Sequence, residues 1–110
     1  LLTGQHPARL GMTIWREAAK NTVRNRKLLP PDAAADLPRA TPTLAELLGQ
    51  RGYLTGLIGK WHLGDAGHGP EARGFAVNIG GTHWGAPQSF FYPYTGTRYY
   101  GGEFRYVPGL

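Results

Sequence analysis

Apolar and polar positions divide the chain into stretches of different character. Between Thr41 and Leu48, the leucines at 44, 47 and 48 recur at the spacing of one helical face. Two starts are consistent with that helix. Thr41 caps it with Pro42 at the first helical position, or Thr43 caps it and Glu46 closes a reciprocal capping box. Gly52 is the expected stop. From Tyr53 to Trp61 apolar residues run on almost without interruption, as in a strand covered on both faces. Helix, short turn and apolar strand form the αβ half of a crossover in a parallel sheet.

The flanking stretches lack such periodicity. Leu1-Leu2-Thr3-Gly4 reads as the end of a helix stopped at Gly4. Gln5 to Arg39 is expected to be mostly irregular surface structure lining a cleft, with a short helical turn over 14–20 and a loop at Leu29-Pro30-Pro31-Asp32. Leu63 to Gly74 is a Gly-rich loop, and Gly80-Gly81-Thr82-His83-Trp84-Gly85 is a tight segment bounded by glycines. Phe90 to Tyr106 is dense in aromatics and reads as loop with a short hairpin. No internal repeat or low-complexity tract is present.

The chemistry concentrates where the apolar run ends, at Gly59-Lys60-Trp61-His62. On an extended strand Lys60 and His62 share one face while Trp61 points to the other. A fixed cation and a titratable imidazole then meet at a strand's carboxyl end, where open α/β sheets bind ligands, and the pair suits an anionic substrate. The bland reading of Lys60 is a snorkelling strand-end lysine, and of His62 an ordinary packed histidine. Thr82 and His83 are candidates for a polar substrate contact, against a purely structural turn. His62, Asp65 and His68 have a spacing seen among metal ligands, but steps through a Gly-rich loop impose no shared face, so no metal ligand is assigned. The aromatics from Trp84 to Tyr106 are read mainly as packing under loops, the alternative being a sugar-stacking platform.

Composition narrows the class. With 110 residues the chain is at most one modest domain, and its termini suggest a piece of a larger protein; an intact small domain with trimmed ends is the alternative. The net charge of +5 is concentrated in residues 1–40, whose seven basic residues face Glu17, Asp32 and Asp36. The run Arg24-Asn25-Arg26-Lys27 is read as a solvated face and not as a nucleic-acid contact. Zero cysteines exclude disulfides and thiolate metal sites within this stretch, and no apolar run approaches the ~20 residues that span a bilayer. Seventeen Gly and nine Pro mark a loop-rich chain, yet three Trp, six Tyr and four Phe are too many for disorder.

Gly52-Tyr53-x-Thr55-x-x-Ile58-Gly59-Lys60-Trp61-His62 resembles the second signature of the formylglycine-dependent (type I) sulfatases at every fixed position. Leu1-Leu2-Thr3-Gly4, followed by Gln5-His6-Pro7-Ala8-Arg9, resembles the tail of that family's first signature, C-x-P-S-R-x-x-L-L-T-G. Gly74-Phe75 followed by Asn78-Ile79-Gly80-Gly81 is similar to the stretch downstream, with Ala76 where members usually carry Asp. The resemblance covers essentially the whole chain.

It implies an α/β fold of the alkaline-phosphatase-like kind, with a mainly parallel central sheet flanked by helices. Residues 1–110 would be part of an N-terminal catalytic domain and no complete domain, inactive alone; the strand over Tyr53 to Trp61, apolar on both faces and without its neighbours, predicts in addition that this stretch does not fold stably by itself. It further implies a sulfuric ester hydrolase acting on sulfated carbohydrates or aryl sulfates. The nucleophile would be a formylglycine seven positions before Leu1 in that pattern, attacking sulfur in a two-step covalent route. By this resemblance Lys60 holds a sulfate oxygen and His62 is the base when the second step proceeds. Thr82 and His83 fall where some members place a substrate contact. The implied metal is calcium, with ligands outside these residues, and the implied compartment is periplasmic or secreted. A phosphomonoester or phosphonate hydrolase of the same superfamily, and a non-catalytic carbohydrate-binding module built on the aromatics, are the alternative functions.

Overall fold

The computed structural model describes residues 1–15, 25, 27–65, 67–85, 91, 95–96 and 104–105. A 3-10 turn at Pro7–Leu10 is followed, after an irregular segment, by helix α1 (Leu44–Gly49) and strand β1 (Gly56–Ile58). A second 3-10 turn at Glu71–Arg73 leads into β2 (Val77–Ile79), and two short strands, β3 (Thr95–Gly96) and β4 (Phe104–Arg105), come last. β1 and β2 pair in parallel, Leu57 opposite Asn78, and β3 and β4 pair antiparallel. The expected helix leading into a strand of a parallel pair is therefore present, although the described connection from β1 to β2 carries a 3-10 turn and no described strand precedes α1; the short hairpin pairing expected among the late aromatics is present as well. Among the described residues the parallel sheet has two strands. The helical turn expected over 14–20 lies mostly outside the described residues.

Thr43, not Thr41, caps α1. Its hydroxyl accepts from the Glu46 N–H at 3.1 Å while the Glu46 carboxylate accepts from the Thr43 N–H at 2.6 Å, completing the capping box. The same Thr43 hydroxyl donates to the Arg73 carbonyl at 2.8 Å, which joins the helix start to the chain entering β2. Gly74 makes this approach possible: it holds φ 89°, and a Cβ there would lie 2.5 Å from the Glu46 amide nitrogen. Gln50 caps the carboxyl end, and Gly52 takes φ 84° in the turn just beyond.

The leucine stripe of α1 is not its buried face. Ala45 is buried against Trp61 and Phe75, whereas Leu44 and Leu47 are about half exposed. Thr43 and Glu46 are held on Arg73 and Gly74, and this orientation turns the small side chain inward. Trp61 and Phe75 meet edge to face with centroids 5.9 Å apart and planes at 78°, and Leu2, Leu57 and Leu63 pack around them.

The strand is also shorter than the Tyr53–Trp61 run. β2 supplies only a three-residue partner, and at Gly59 the backbone turns to φ 115°. Upstream, Thr55 is already committed: its carbonyl accepts from the Val77 N–H at 3.1 Å and its hydroxyl donates to the Gly74 carbonyl. Within residues 1–110 the apolar run is not covered on both faces: Ile58 is 81% exposed and Leu54 83%, surface expected to meet neighbouring elements outside these residues. Leu2 and Thr3 form a turn, closed by the Gly4 N–H donating to the Leu1 carbonyl at 3.3 Å, and Gly4 adopts the expected left-handed φ of 66°.

Arg73 is the most buried ionic side chain described, at 1% exposure. It donates to the carbonyls of Pro38 at 3.2 Å and Thr41 at 2.5 Å, and lies 3.5 Å from the Glu46 carboxylate. One guanidinium thus holds the chain entering α1, the α1 capping box and its own 3-10 turn together.

Candidate functional site

β1 and β2 leave the sheet side by side, and their continuations stay paired. The Gly59 N–H donates to the Ile79 carbonyl at 2.8 Å, and the His62 N–H donates to the Thr82 carbonyl at 2.9 Å. Lys60 and His62 follow β1, and Thr82 and His83 follow β2, so all four candidates stand beyond the carboxyl ends of the parallel pair. This is the position where open α/β sheets place ligands.

The geometry of Lys60 and His62 differs from simple strand alternation. The ladder ends at Ile58, and His62 holds φ 58°, the left-handed conformation that costs a non-glycine residue free energy. Trp61 between them is 4% exposed and anchors the segment in the core, its indole N–H donating to the His68 carbonyl at 2.9 Å. Lys60 is exposed and His62 half-buried. The inward Trp61 agrees with the expectation, but packing on Phe75 sets its direction and not an extended backbone.

Lys60, Trp61, His62 and Leu63 line one side of a cavity of about 370 Å³. Met12, Thr13, Ile14 and Trp15 form another wall, with Ala34 and Ala35 closing it. The cleft expected within residues 5–39 is thus built by two of its short segments, joined where the Ala34 N–H donates to the Gly11 carbonyl at 2.8 Å. The cavity combines one ammonium, one imidazole and an apolar wall that includes Trp15, 64% exposed. Such a lining offers a ligand both basic and apolar side chains. Thr82 and His83 do not line it. The Thr82 hydroxyl accepts from the Trp84 N–H at 3.1 Å, and the His83 and Trp84 rings lie edge to face, 6.3 Å apart.

The trio His62, Asp65 and His68 does not assemble. Among the described residues, the group of potential metal ligands that converges is Asp36, Asp65 and His68, with donor atoms within 4.8 Å of one another. His68 Nδ1 lies 4.0 Å from Asp36, whose carboxylate also accepts from the Asp65 N–H at 3.3 Å. Asp36 is far away in sequence, and its arrival there follows from the Leu37 N–H donating to the Leu63 carbonyl at 2.7 Å, a contact that no spacing signals. An imidazole among the donors does not fit the all-oxygen shell that calcium prefers. The aromatic stretch beyond Trp84 lies largely outside the described residues.

A helix leading into a parallel strand pair, with Lys60 and His62 just beyond the carboxyl end of β1, is the arrangement of an α/β protein. The comparison with known proteins is narrower. The sulfatase family model matches residues 1–101, and the chain belongs to the sulfatase family. It is 41% identical to human arylsulfatase A over 83 residues, which cover 73% of this chain and 14% of that protein. It is 48% identical to human arylsulfatase H over 63 residues (57% of this chain, 10% of that protein) and 40% identical to human steryl-sulfatase over 67 (61% and 10%). The chain therefore spans about one seventh or less of the length of these relatives. No helix of the described residues is long and apolar enough to cross a membrane.

Proposed function

We propose that the protein hydrolyses sulfate esters and that residues 1–110 supply part of its sulfate pocket. The observation that carries this reading is the family match over residues 1–101 together with a cavity shared by Lys60 and His62. In this reading Lys60 binds a sulfate oxygen and offsets the charge that develops as the ester bond breaks. His62 accepts and returns a proton through its ring nitrogen. The apolar wall at Ile14 and Trp15 takes the ring face of the alcohol portion, an aryl group or a sugar. Thr82 orients His62 through its carbonyl, and His83 on the same turn is the candidate for a polar substrate contact.

The nucleophile proposed is a formylglycine outside these residues, whose hydrated aldehyde supplies the attacking oxygen. Calcium is proposed as the metal, held by oxygen ligands elsewhere in the protein, because the Asp36–Asp65–His68 group does not suit it. The proposed setting is an alkaline-phosphatase-like domain in which β1 and β2 belong to a wider parallel sheet.

The test compares an aryl sulfate with the matching aryl phosphate, using protein expressed from the full open reading frame. Sulfate turnover that falls about 10²–10³-fold in Lys60→Ala supports the reading. Faster phosphate than sulfate turnover would replace it with a phosphomonoesterase. Activity indifferent to both Lys60→Ala and His62→Ala would remove the pocket from the chemistry.

A further inference from the structure

We propose that Gly85 is a positioning residue: its missing side chain leaves the space that fixes the His62 imidazole. A Cβ built on Gly85 would lie 2.7 Å from His62 Nδ1, 2.8 Å from Cε1 and 3.4 Å from Cγ. The first two separations are closer than real Cβ contacts come, so the ring and the 82–85 turn are in mutual contact along the Nδ1–Cε1 edge. The backbone does not explain this glycine. Unlike Gly59, Gly74 and Gly80, Gly85 holds no left-handed φ, and the three atoms nearest an added Cβ all belong to the His62 ring.

The same turn grips His62 a second time. The Thr82 carbonyl accepts the His62 N–H at 2.9 Å, holding the backbone of a residue already in the left-handed region at φ 58°. The Thr82 hydroxyl in turn accepts the Trp84 N–H at 3.1 Å, which folds the turn so that Gly85 arrives beside the ring. Residues 82–85 therefore meet His62 at both its backbone and its imidazole. A proton-transfer group needs this restraint, because a displacement of about 1 Å can cost on the order of a hundredfold in rate.

This inference rests on the reading of His62 as the proton-transfer residue, and its test separates the two. Protein from the full open reading frame is compared as wild type, Gly85→Ala, His62→Ala and the double variant, with an aryl sulfate as substrate. Gly85→Ala is expected to lower kcat about 10- to 100-fold, leave KM within about twofold, and shift the His62 ring resonances in a ¹⁵N-histidine spectrum. In the His62→Ala background, where the clash is gone, Gly85→Ala is expected to change the residual rate by less than about twofold. An equal loss in both backgrounds would show that Gly85 acts through something other than the ring and overturn the proposal. Unchanged kcat and unchanged His62 resonances in folded Gly85→Ala would overturn it as well. If His62→Ala itself leaves kcat intact, the catalytic reading of His62 falls, while the ring resonances still report whether Gly85 sets the imidazole.

Discussion

Replacing Arg73 is the most informative structural perturbation, because this side chain holds three segments that converge only in the folded chain. It is 1% exposed, donates to the Pro38 and Thr41 carbonyls, and lies 3.5 Å from Glu46. Arg73→Ala removes the charge from a buried place and leaves two carbonyls and one carboxylate without it. Breaking a fully buried ionic contact from one side costs about 3–5 kcal/mol, and the 29% exposure of the Glu46 side chain puts this one at the lower end. Arg73→Met fills much of the volume but still strands the carbonyls, at about 1–3 kcal/mol each, less whatever solvent reaches them. Arg73→Lys keeps the charge without the planar fork and cannot serve two carbonyls and Glu46 together, so it ranks as the mildest of the three. The assay is amide hydrogen exchange over residues 41–49 in protein from the full open reading frame, which reads local opening directly. A loss of about 3 kcal/mol appears there as protection lowered on the order of a hundredfold, since about 1.4 kcal/mol is tenfold. Protection in Arg73→Ala within threefold of wild type would show that the guanidinium does not hold α1, and the argument from burial would be refuted.

Two further substitutions test the packing behind the site. Gly74→Ala places a Cβ 2.5 Å from the Glu46 amide nitrogen at a residue with φ 89°, and both penalties lead us to expect at least about 2 kcal/mol of destabilisation, read as a lower midpoint in urea; an unchanged midpoint would mean that the helix start is free to move away. Trp61→Phe keeps an aromatic ring beside Phe75 but loses the indole bond to the His68 carbonyl, and is expected to cost about 1–3 kcal/mol and to raise exchange of the His68 amide. Unaltered exchange there would show that the Gly-rich loop does not depend on Trp61.

Some of this protein was legible in the order of its residues. Helix α1, the turn and the parallel strand follow from local chemistry: a threonine and a glutamate at capping-box spacing, a glycine past the helix end, and a run of apolar residues. Lys60 and His62 stood out because a cation and an imidazole at the end of such a run have few structural uses, and the structure places both on one cavity. The family resemblance read from residues 52–62 and 1–9 agrees with the match over residues 1–101.

Other features were decided by contacts between residues distant in sequence. Periodicity put the leucines of α1 on one apolar stripe, yet Ala45 took the core because the helix start is fastened to Arg73 and Gly74, nearly thirty residues later. The strand ended at Ile58 where β2 offers no further partner and the backbone turns at Gly59, and the length of β2 is a limit that residues 53–61 do not record. Asp36 joined Asp65 and His68 through a backbone bond between Leu37 and Leu63, and Gly85 reached the His62 ring only because Thr82 holds that residue's backbone. Local pattern specifies which segments want to be helix, strand or turn, since those preferences depend on neighbours along the chain. The direction of each side chain is set by whichever distant group satisfies its hydrogen bonds and fills its volume, and only the folded chain brings those groups together.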